Sequence, residues 1–554
     1  MSYRNLVQRI ILRQKFSTNF PALLQYNGYE KYGGSKETFN NYKRNFAAAL
    51  LGSVLIGSSL NDNNKQKSNG SKQQKTEEQE IVEAGEKRPD LPTFRAEEIS
   101  QHNKKSSFWV IYRHGVYDIT SFLPSHPGGE QIYNAAGLSI EPFWNVYGMH
   151  KTQQVYKLLE SYRIGNIHED DMVDHSDDEL WAREPYRDPR LIVKTAKPFN
   201  AEIPPQYQIA HFNTPNELFY VRQHMPVPEL EAATHRLRVV LDGFAVESFS
   251  LEQLRRFDSA SLSAALMCAG NRRSEMDQVK PVKGISWAGG AISNAVWSGV
   301  YLRDVLLHCG VDPNDTDGKH VILTGADADA AGTQFSTSIP LRMALEPSAR
   351  VLLATHMNGA PLPPDHGAPL RAVVPGAPAV RSVKWLECIT VSEEESDSHW
   401  HKRDYRSFGP SVTWETADFE SAPPLYSLPV TSAICEPAHG GDALVRDGCI
   451  QARGYAYSGG GAGVVRVELS ADGGASWREA ALRQDGPAPA AHAHYAWTLW
   501  AASVPVPHGA SQVELWVKAT DSNFNTQPET FQHIWNIRGL LSNAYHKITV
   551  NLKR

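Results

Sequence analysis

The sequence predicts a multidomain α+β protein: a small α+β module, a larger mixed α+β body, and an immunoglobulin-like β-sandwich at the carboxyl end. Three observations predict it. A chain of 554 residues exceeds what one hydrophobic core organises, so about three domains are expected. Between Leu91 and Ile167 aromatic residues and turn signals are dense. From about Leu425 onward, short alternating strands replace the loop-rich pattern of the middle.

The composition is that of a globular protein, with 41% hydrophobic and 21% charged residues and a net charge of -6. No basic stripe dominates, so a nucleic-acid partner is not expected. Cys268, Cys309, Cys388, Cys435 and Cys449 are odd in number and scattered, without a C-x-x-C pair. Neither a zinc module nor a disulfide framework is supported. A cysteine with a special role here works alone.

The first element is an address. Arg4, Arg9, Arg13 and Lys15 precede the first acidic residue, Glu30, and are interleaved with Leu6, Ile10 and Ile11. Such an Arg-rich, acid-poor segment suits a mitochondrial presequence. The apolar run from Phe46 to Gly57 follows Lys43 and Arg44. It is shorter than the roughly 20 residues that span a bilayer. A basic segment with a short apolar stop resembles the two-part signals that leave proteins in the mitochondrial intermembrane space. Residues 1–60 are therefore expected to be a presequence with a sorting segment, with no stable membrane span in the mature protein. Residues 61–89, rich in Asn, Lys, Gln and Glu, are expected to be a disordered linker.

Residues 90–168 form the small module. "VYDITSFLPSHPGGEQIYNAAG" runs from a β-like segment into a turn with His126, and "FWNVYGMH" ends at His150. Two imidazoles from separate turns across an apolar crevice can fill both axial positions of a haem iron, which suits electron transfer and leaves no site for oxygen. His-Pro-Gly-Gly after a "YDIT" strand, with a second histidine at this spacing, resembles cytochrome b5 domains. The resemblance gives His126 and His150 the axial roles on one haem b per chain. The acidic stretch that follows, residues 169–180, is read as a solvated hinge.

The body, residues 181–424, alternates short apolar runs with Gly- and Pro-rich turns, and "LRDVLLHCG" is one of its few helix-like patterns. "MCAGNRRSE" puts Cys268 beside Arg272 and Arg273. Nearby cations stabilise a thiolate, yet the same letters also describe a surface turn with a buried cysteine. Other loops are dense in polar groups: "NELFYVRQHMPVP", "GADADAAG", "PPDHGAPLRAVVPG" and "VRSVKW". No phosphate-binding glycine loop or nucleophile elbow occurs in them.

As a set, these loops resemble the molybdenum-cofactor domain of the sulfite oxidase family, which is shared with nitrate reductases. With a haem module in front and a mitochondrial address, the chain from Leu91 onward resembles animal members of that family. The resemblance implies that Cys268 binds molybdenum through its thiolate, a soft ligand beside the dithiolene sulfurs of one molybdopterin per chain. Phe219, Tyr220, Val221, Arg222, Gln223, Asp327, His366, Arg371, Ser382, Val383 and Lys384 would line the pterin and its phosphate. Arg222, Arg273 and Arg538 would hold the sulfite oxyanion, with Asp404 and Tyr405 of "HKRDYRSF" near the metal.

The implied reaction is oxygen transfer from molybdenum to sulfite, yielding sulfate, with two electrons leaving singly through the haem to cytochrome c. The carboxyl-terminal domain, residues 425–554, would be the dimer interface of a homodimer. In it, "VVRVELSADGGASW" is expected to place Val465, Val467 and Leu469 on one face, and "QVELWVKATD" to turn Val513, Leu515, Val517 and Ala519 inward. A nitrate reductase-like enzyme is the alternative, disfavoured because those enzymes place the haem module after the molybdenum domain and continue into a flavin domain. A haem electron carrier without molybdenum activity is the second alternative, opposed by Cys268, the arginines and Tyr405.

Overall fold

The computed structural model describes residues 83–554 except 147–149, 174–180, 182, 242, 330 and 486–492. The expected presequence, the apolar run from Phe46, the linker as far as residue 82 and the hinge residues 174–180 lie outside the described residues.

The first module is a five-stranded sheet in the order Thr93–Phe94, Arg163–Ile167, Gly115–Asp118, Ser107–Tyr112, Asn103–Lys104. Short helical turns and the helices Glu141–Val146 and Gln153–Glu160 accompany it. Phe108, Val110, Tyr117, Leu123, Trp144 and Leu159 form its core. The buried Tyr117 hydroxyl donates to Glu160 Oε1 at 2.6 Å and accepts from Arg163 Nη1 at 3.0 Å, so no polar atom of that phenol is left dry. The end of the segment expected to be linker packs here too. Ala84 is buried, and the Gly85 amide donates to Glu160 Oε1 at 2.9 Å. At the other end Arg95 pairs with Asp171 at 2.9 Å, so the start of the acidic stretch lies against the module.

The body contains two five-stranded sheets. One has the order Phe244–Phe249, Leu237–Leu241, Leu386–Ser392, His320–Ala328, Gln334–Pro340. Its strand Leu386–Ser392 runs parallel to Leu237–Leu241 and antiparallel to His320–Ala328, making the sheet mixed. The other is built on Ser259–Met267, Ile292–Tyr301 and Leu352–Met357. Helix Leu302–His308 buries Leu302, Val305 and Leu306, the i, i+3, i+4 stripe that "LRDVLLHCG" predicts. It stops where Gly310 takes φ +92°, a left-handed conformation open to glycine.

The carboxyl-terminal part has two sheets, of four and five strands, whose inner faces share one core that includes Ile434, Ile450, Val467, Trp500, Leu515 and Val550. Val513, Leu515, Val517 and Ala519 point inward as expected. Val465 does not: it is 48% exposed, while Val464, Val467 and Leu469 are buried. The pairing slips between Val464 and Arg466, and one extra residue in a strand turns the side chain at that point to the opposite face.

Candidate active site

The two expected haem ligands face each other. The His126 and His150 rings are parallel to within 10°, with centroids 6.2 Å apart. Metal–imidazole bonds are about 2 Å long, so that gap suits one metal ion held between two ring nitrogens. His126 Nδ1 lies 3.1 Å from the Gly129 carbonyl oxygen, which can only accept. The proton therefore sits on Nδ1, and Nε2 is left as the ligating lone pair. Gly128 is needed beside it, since a Cβ there would come within 2.7 Å of the His126 ring.

Cys268 follows the strand Ser259–Met267 and opens a tightly bonded loop. Its amide donates to Ala291 O at 2.9 Å, its carbonyl accepts from Asn271 N at 2.9 Å, and Asn271 Oδ1 accepts from Ala291 N at 2.9 Å. The two arginines after it then part company. Arg272, at φ +63°, is fully buried and uses all five N–H donors. Two go to Glu275, at 2.7 and 2.6 Å, and the others to the carbonyls of Ser432, Ala544 and Tyr545. Arg272 is a tie to the carboxyl-terminal segment. Arg273 donates Nε to the carbonyls of Arg538 and Gly539 and Nη1 to that of Ile285. Its guanidinium lies within electrostatic reach of Cys268, Tyr405 and Arg222, and burial, the largest influence, lowers its pKa.

Glycines make room for Arg273. A Cβ at Gly284 would come within 2.5 Å of the guanidinium, and one at Gly539 within 2.7 Å of its stem. Gly284→Ala is therefore expected to displace the group and to reduce kcat/KM for the oxyanion substrate by about 10- to 100-fold. Gly409→Ala, where a Cβ meets nothing within 4 Å, is the control. Equal kinetics in both variants would show that the slot has no such role.

A cavity enclosing about 690 Å³, part of it open to solvent, brings most of the predicted residues together. Phe219, Tyr220, Arg222 and Gln223 line it from the segment after the turn Asn216–Leu218. Asp327, His366, Arg371, Ser382, Val383 and Lys384 complete the cofactor-like wall, with Cys268 and Tyr405 on the same cavity. Val221 is absent from it, because the next side chain on a strand turns away, and packs with Leu191 and Ala201. Arg273, Arg538 and Asp404 are also off the wall. Asp404 forms an ion pair with Arg538, whose Nε also donates to Asp404 O at 3.3 Å.

Asp327 is buried and its Oδ1 has no hydrogen-bond partner. Burial pushes its pKa up, while Lys384 opposes the shift. Lys384 donates to the carbonyls of Arg222 and Asp365 at 3.1 and 3.0 Å, and burial pushes its pKa down. Arg371 donates to the carbonyls of His366 and Ser382, both at 2.9 Å. His366 donates Nε2–H to Asn216 O at 3.1 Å, and burial lowers its pKa to about 4, so the ring is neutral. An orphaned carboxylate oxygen beside cationic groups suits a ring with N–H donors joined to an anionic tail, and a lone cysteine on the same wall suits a soft metal. The residues fit a pterin-bound metal.

Several neighbours carry no sequence signal of their own. Asp365 is held by Arg187 through two bonds of 2.9 and 2.8 Å and accepts from Gln223 Nε2 at 3.0 Å. "PPDHG" puts Asp365 beside His366, but nothing in the sequence points to Arg187. The π-helical turn Trp400–Asp404, which ends at Tyr405, is anchored by His401. His401 Nδ1 accepts from the buried Arg381 at 2.6 Å, and Nε2 faces Glu395 at 3.2 Å; Arg406 meets the same carboxylate at 2.7 Å.

Hydrogen bonds from His401 foremost, and from Arg406, lower the Glu395 pKa to about 2. An unperturbed glutamate titrates near 4.3, so this stabilisation is present above that value and is lost as pH falls towards 2. Glu395→Gln is expected to destabilise the protein by about 2 kcal/mol at pH 7, and the difference should shrink through that acidic window. Thermal unfolding of both proteins at neutral and acidic pH checks it; a deficit that does not change with pH rules it out.

Residues 95–168 match the cytochrome b5-like heme/steroid binding domain, 224–400 the oxidoreductase molybdopterin binding domain, and 422–553 the Mo-co oxidoreductase dimerisation domain. The chain is 48% identical over 478 residues to mitochondrial sulfite oxidase of Drosophila melanogaster, covering 84% of this chain and 82% of that one. It is 46% identical over 462 residues to mitochondrial sulfite oxidase of Homo sapiens, covering 82% and 84% respectively. The crystal structure of the sulfane dehydrogenase SoxCD from Paracoccus pantotrophus shares the fold, with a TM-score of 0.51 at 23% identity over 69% of this chain and 93% of that one.

Proposed function

The chain belongs to the sulfite oxidase family, and on that premise we propose that it oxidises sulfite to sulfate at a molybdenum cofactor and hands the electrons through haem b to cytochrome c. One observation carries the reading. Cys268, Arg222 and Tyr405 share a cavity with the buried Asp327, whose Oδ1 has no partner, in a chain whose His126 and His150 are paired for a haem.

When bound, the molybdenum cofactor supplies two-electron oxygen transfer and the haem a one-electron outlet. The chain supplies the rest. Cys268 would hold the metal, Asp327 would accept from pterin N–H groups, and Lys384 and Arg371 would face the cofactor's anionic part. Arg222 and Arg273 replace the water around a small, strongly hydrated oxyanion, and buried guanidinium groups do this well. Arg538 adds a third cation behind them, tempered by Asp404. Tyr405 keeps its proton, since burial raises its pKa, and can donate a hydrogen bond to the oxyanion. His126 and His150 would hold the haem iron between their rings.

The domain assignment belongs to the proposal: haem module at 90–168, hinge at 169–180, catalytic body at 181–424, and a carboxyl-terminal domain at 425–554 that makes the homodimer. So does the location. The mitochondrial relatives and the basic amino terminus favour mitochondria, and cytochrome c as acceptor favours the intermembrane space. Among the described residues no helix is long and apolar enough to cross a membrane. A haem module ahead of the catalytic domain separates this chain from the nitrate reductase arrangement. The test is sulfite-dependent reduction of ferric cytochrome c, with nitrate and a reduced dye as the opposing assay. Turnover with sulfite and none with nitrate is expected; the reverse overturns the reading.

A further inference from the structure

We propose that Arg187 is a positioning residue for the cofactor: its guanidinium grips the Asp365 carboxylate behind the cavity wall and so keeps the Lys384 ammonium unpaired for the cofactor's anionic end. The inference rests on the proposed place of Lys384 in the cofactor site.

The three protons of the Lys384 ammonium all go to neutral acceptors. Two are the carbonyls of Arg222 and Asp365, at 3.1 and 3.0 Å, and the third is Gln223 Oε1. None of the three is a carboxylate, and Lys384 lines the cavity. A buried cation with no counter-ion is costly unless an anion takes that place.

The anion that could spoil this arrangement belongs to the same residue as one of those carbonyls. The Asp365 carboxylate is turned to Arg187, which donates Nε to Oδ2 at 2.9 Å and Nη2 to Oδ1 at 2.8 Å. Two parallel bonds of this kind make a strong and directional pair. Burial lowers the Lys384 pKa, and Asp365 heads the charges that raise it, so this carboxylate is the main anionic influence on the ammonium. Released from Arg187, Asp365 would be drawn to Lys384 and would neutralise it.

Arg187 is itself firmly placed. The segment that carries it leads from the acidic stretch into the body and is fixed on both sides. Trp181 is buried in the main core of the body, Leu191 packs with Ala201 and Val221, and Glu184 accepts from Val227 N at 3.0 Å. Glu184 also pairs with Arg187, whose guanidinium lies 4.1 Å from the centre of the Phe199 ring. The side chains of Arg187 and Asp365 are 11% and 9% exposed, so water and salt screen their pair little. Arg187 does not line the cavity, and it acts through Asp365.

The test compares Arg187→Met, Asp365→Asn and the double variant, each as full-length protein purified with haem and molybdenum. Retention is read as the molybdenum-to-haem ratio after incubation and desalting, and as the fluorescence of oxidised pterin released from the protein. Arg187→Met is expected to lose cofactor about tenfold faster than the wild type, the lower end of what an outer-sphere partner of a metal site contributes. Adding Asp365→Asn should bring the rate back to within about threefold, because no carboxylate is left to pair with Lys384. A pair that only held the fold would behave differently: either substitution would break it, and the double variant would be no better than Arg187→Met. Thermal unfolding shows whether each variant is folded; if Arg187→Met is not, Arg187→Gln takes its place, alone and with Asp365→Asn.

Cofactor held by Arg187→Met as long as by the wild type, or lost as fast from the double variant as from the single one, overturns the inference. Retention unchanged by Lys384→Gln removes Lys384 from the cofactor site, and the inference with it. A wild-type protein that binds haem but no molybdenum, in cells that make the cofactor, fails the functional reading instead.

Discussion

Replacing Arg272 by methionine is expected to destabilise the protein by about 3–5 kcal/mol, the range for breaking a buried ion pair from one side. The half-buried carboxylate of Glu275 would be left with His546 Nε2, at 3.9 Å, as its remaining basic neighbour. The carbonyls of Ser432, Ala544 and Tyr545 would each lose a donor. Those carbonyls belong to the carboxyl-terminal segment and Arg272 to the cysteine loop, so the damage is to their junction. Asn271 reinforces it, donating to the Tyr455 hydroxyl at 2.9 Å, which donates in turn to Gly289 O at 2.9 Å. The haem module makes no part of this network, so its absorbance should persist at temperatures where the tryptophan fluorescence of the rest has already changed. A methionine variant whose fluorescence midpoint matches the wild type would show that Arg272 ties nothing together.

Cys268→Ser is expected to abolish sulfite turnover by more than about 100-fold, beyond what losing an outer-sphere partner of a metal costs. The substitution is close to isosteric, and the loop is held by backbone bonds of Cys268 to Ala291 and Asn271 that serine keeps. Stability should therefore change by less than about 1 kcal/mol. The haem spectrum should stay intact, since His126 and His150 lie in a separate core. Steady-state assays with haem and molybdenum content measured on the same preparation separate these effects. A serine enzyme with more than a tenth of the activity would remove Cys268 from the metal.

Much of this was legible where chemistry is local in the chain. His126 and His150 announce themselves through one turn and one spacing, and the structure brings their rings face to face. Cys268 stands out by its neighbours, but the sequence could not say that Arg272 and Arg273 serve different ends. Only the left-handed backbone at Arg272 turns one guanidinium to the carboxyl-terminal carbonyls and leaves the other near the cysteine. A contiguous motif likewise named Val221 with its neighbours, although strand geometry sends that side chain to another core. Arg187 and Asp365, 178 residues apart, meet through tertiary structure alone. Val465 was misplaced because a bulge interrupts an alternation that the letters show unbroken.

The most direct measurement is the visible spectrum of the purified, anaerobic, full-length protein before and after adding sulfite, with nitrate as the control. Conversion of oxidised haem bands to reduced ones by sulfite alone is expected, since it needs a loaded metal site at Cys268, an oxyanion site and an internal path to His126 and His150. A haem that dithionite reduces but sulfite does not, in protein carrying its full molybdenum content, contradicts the assignment.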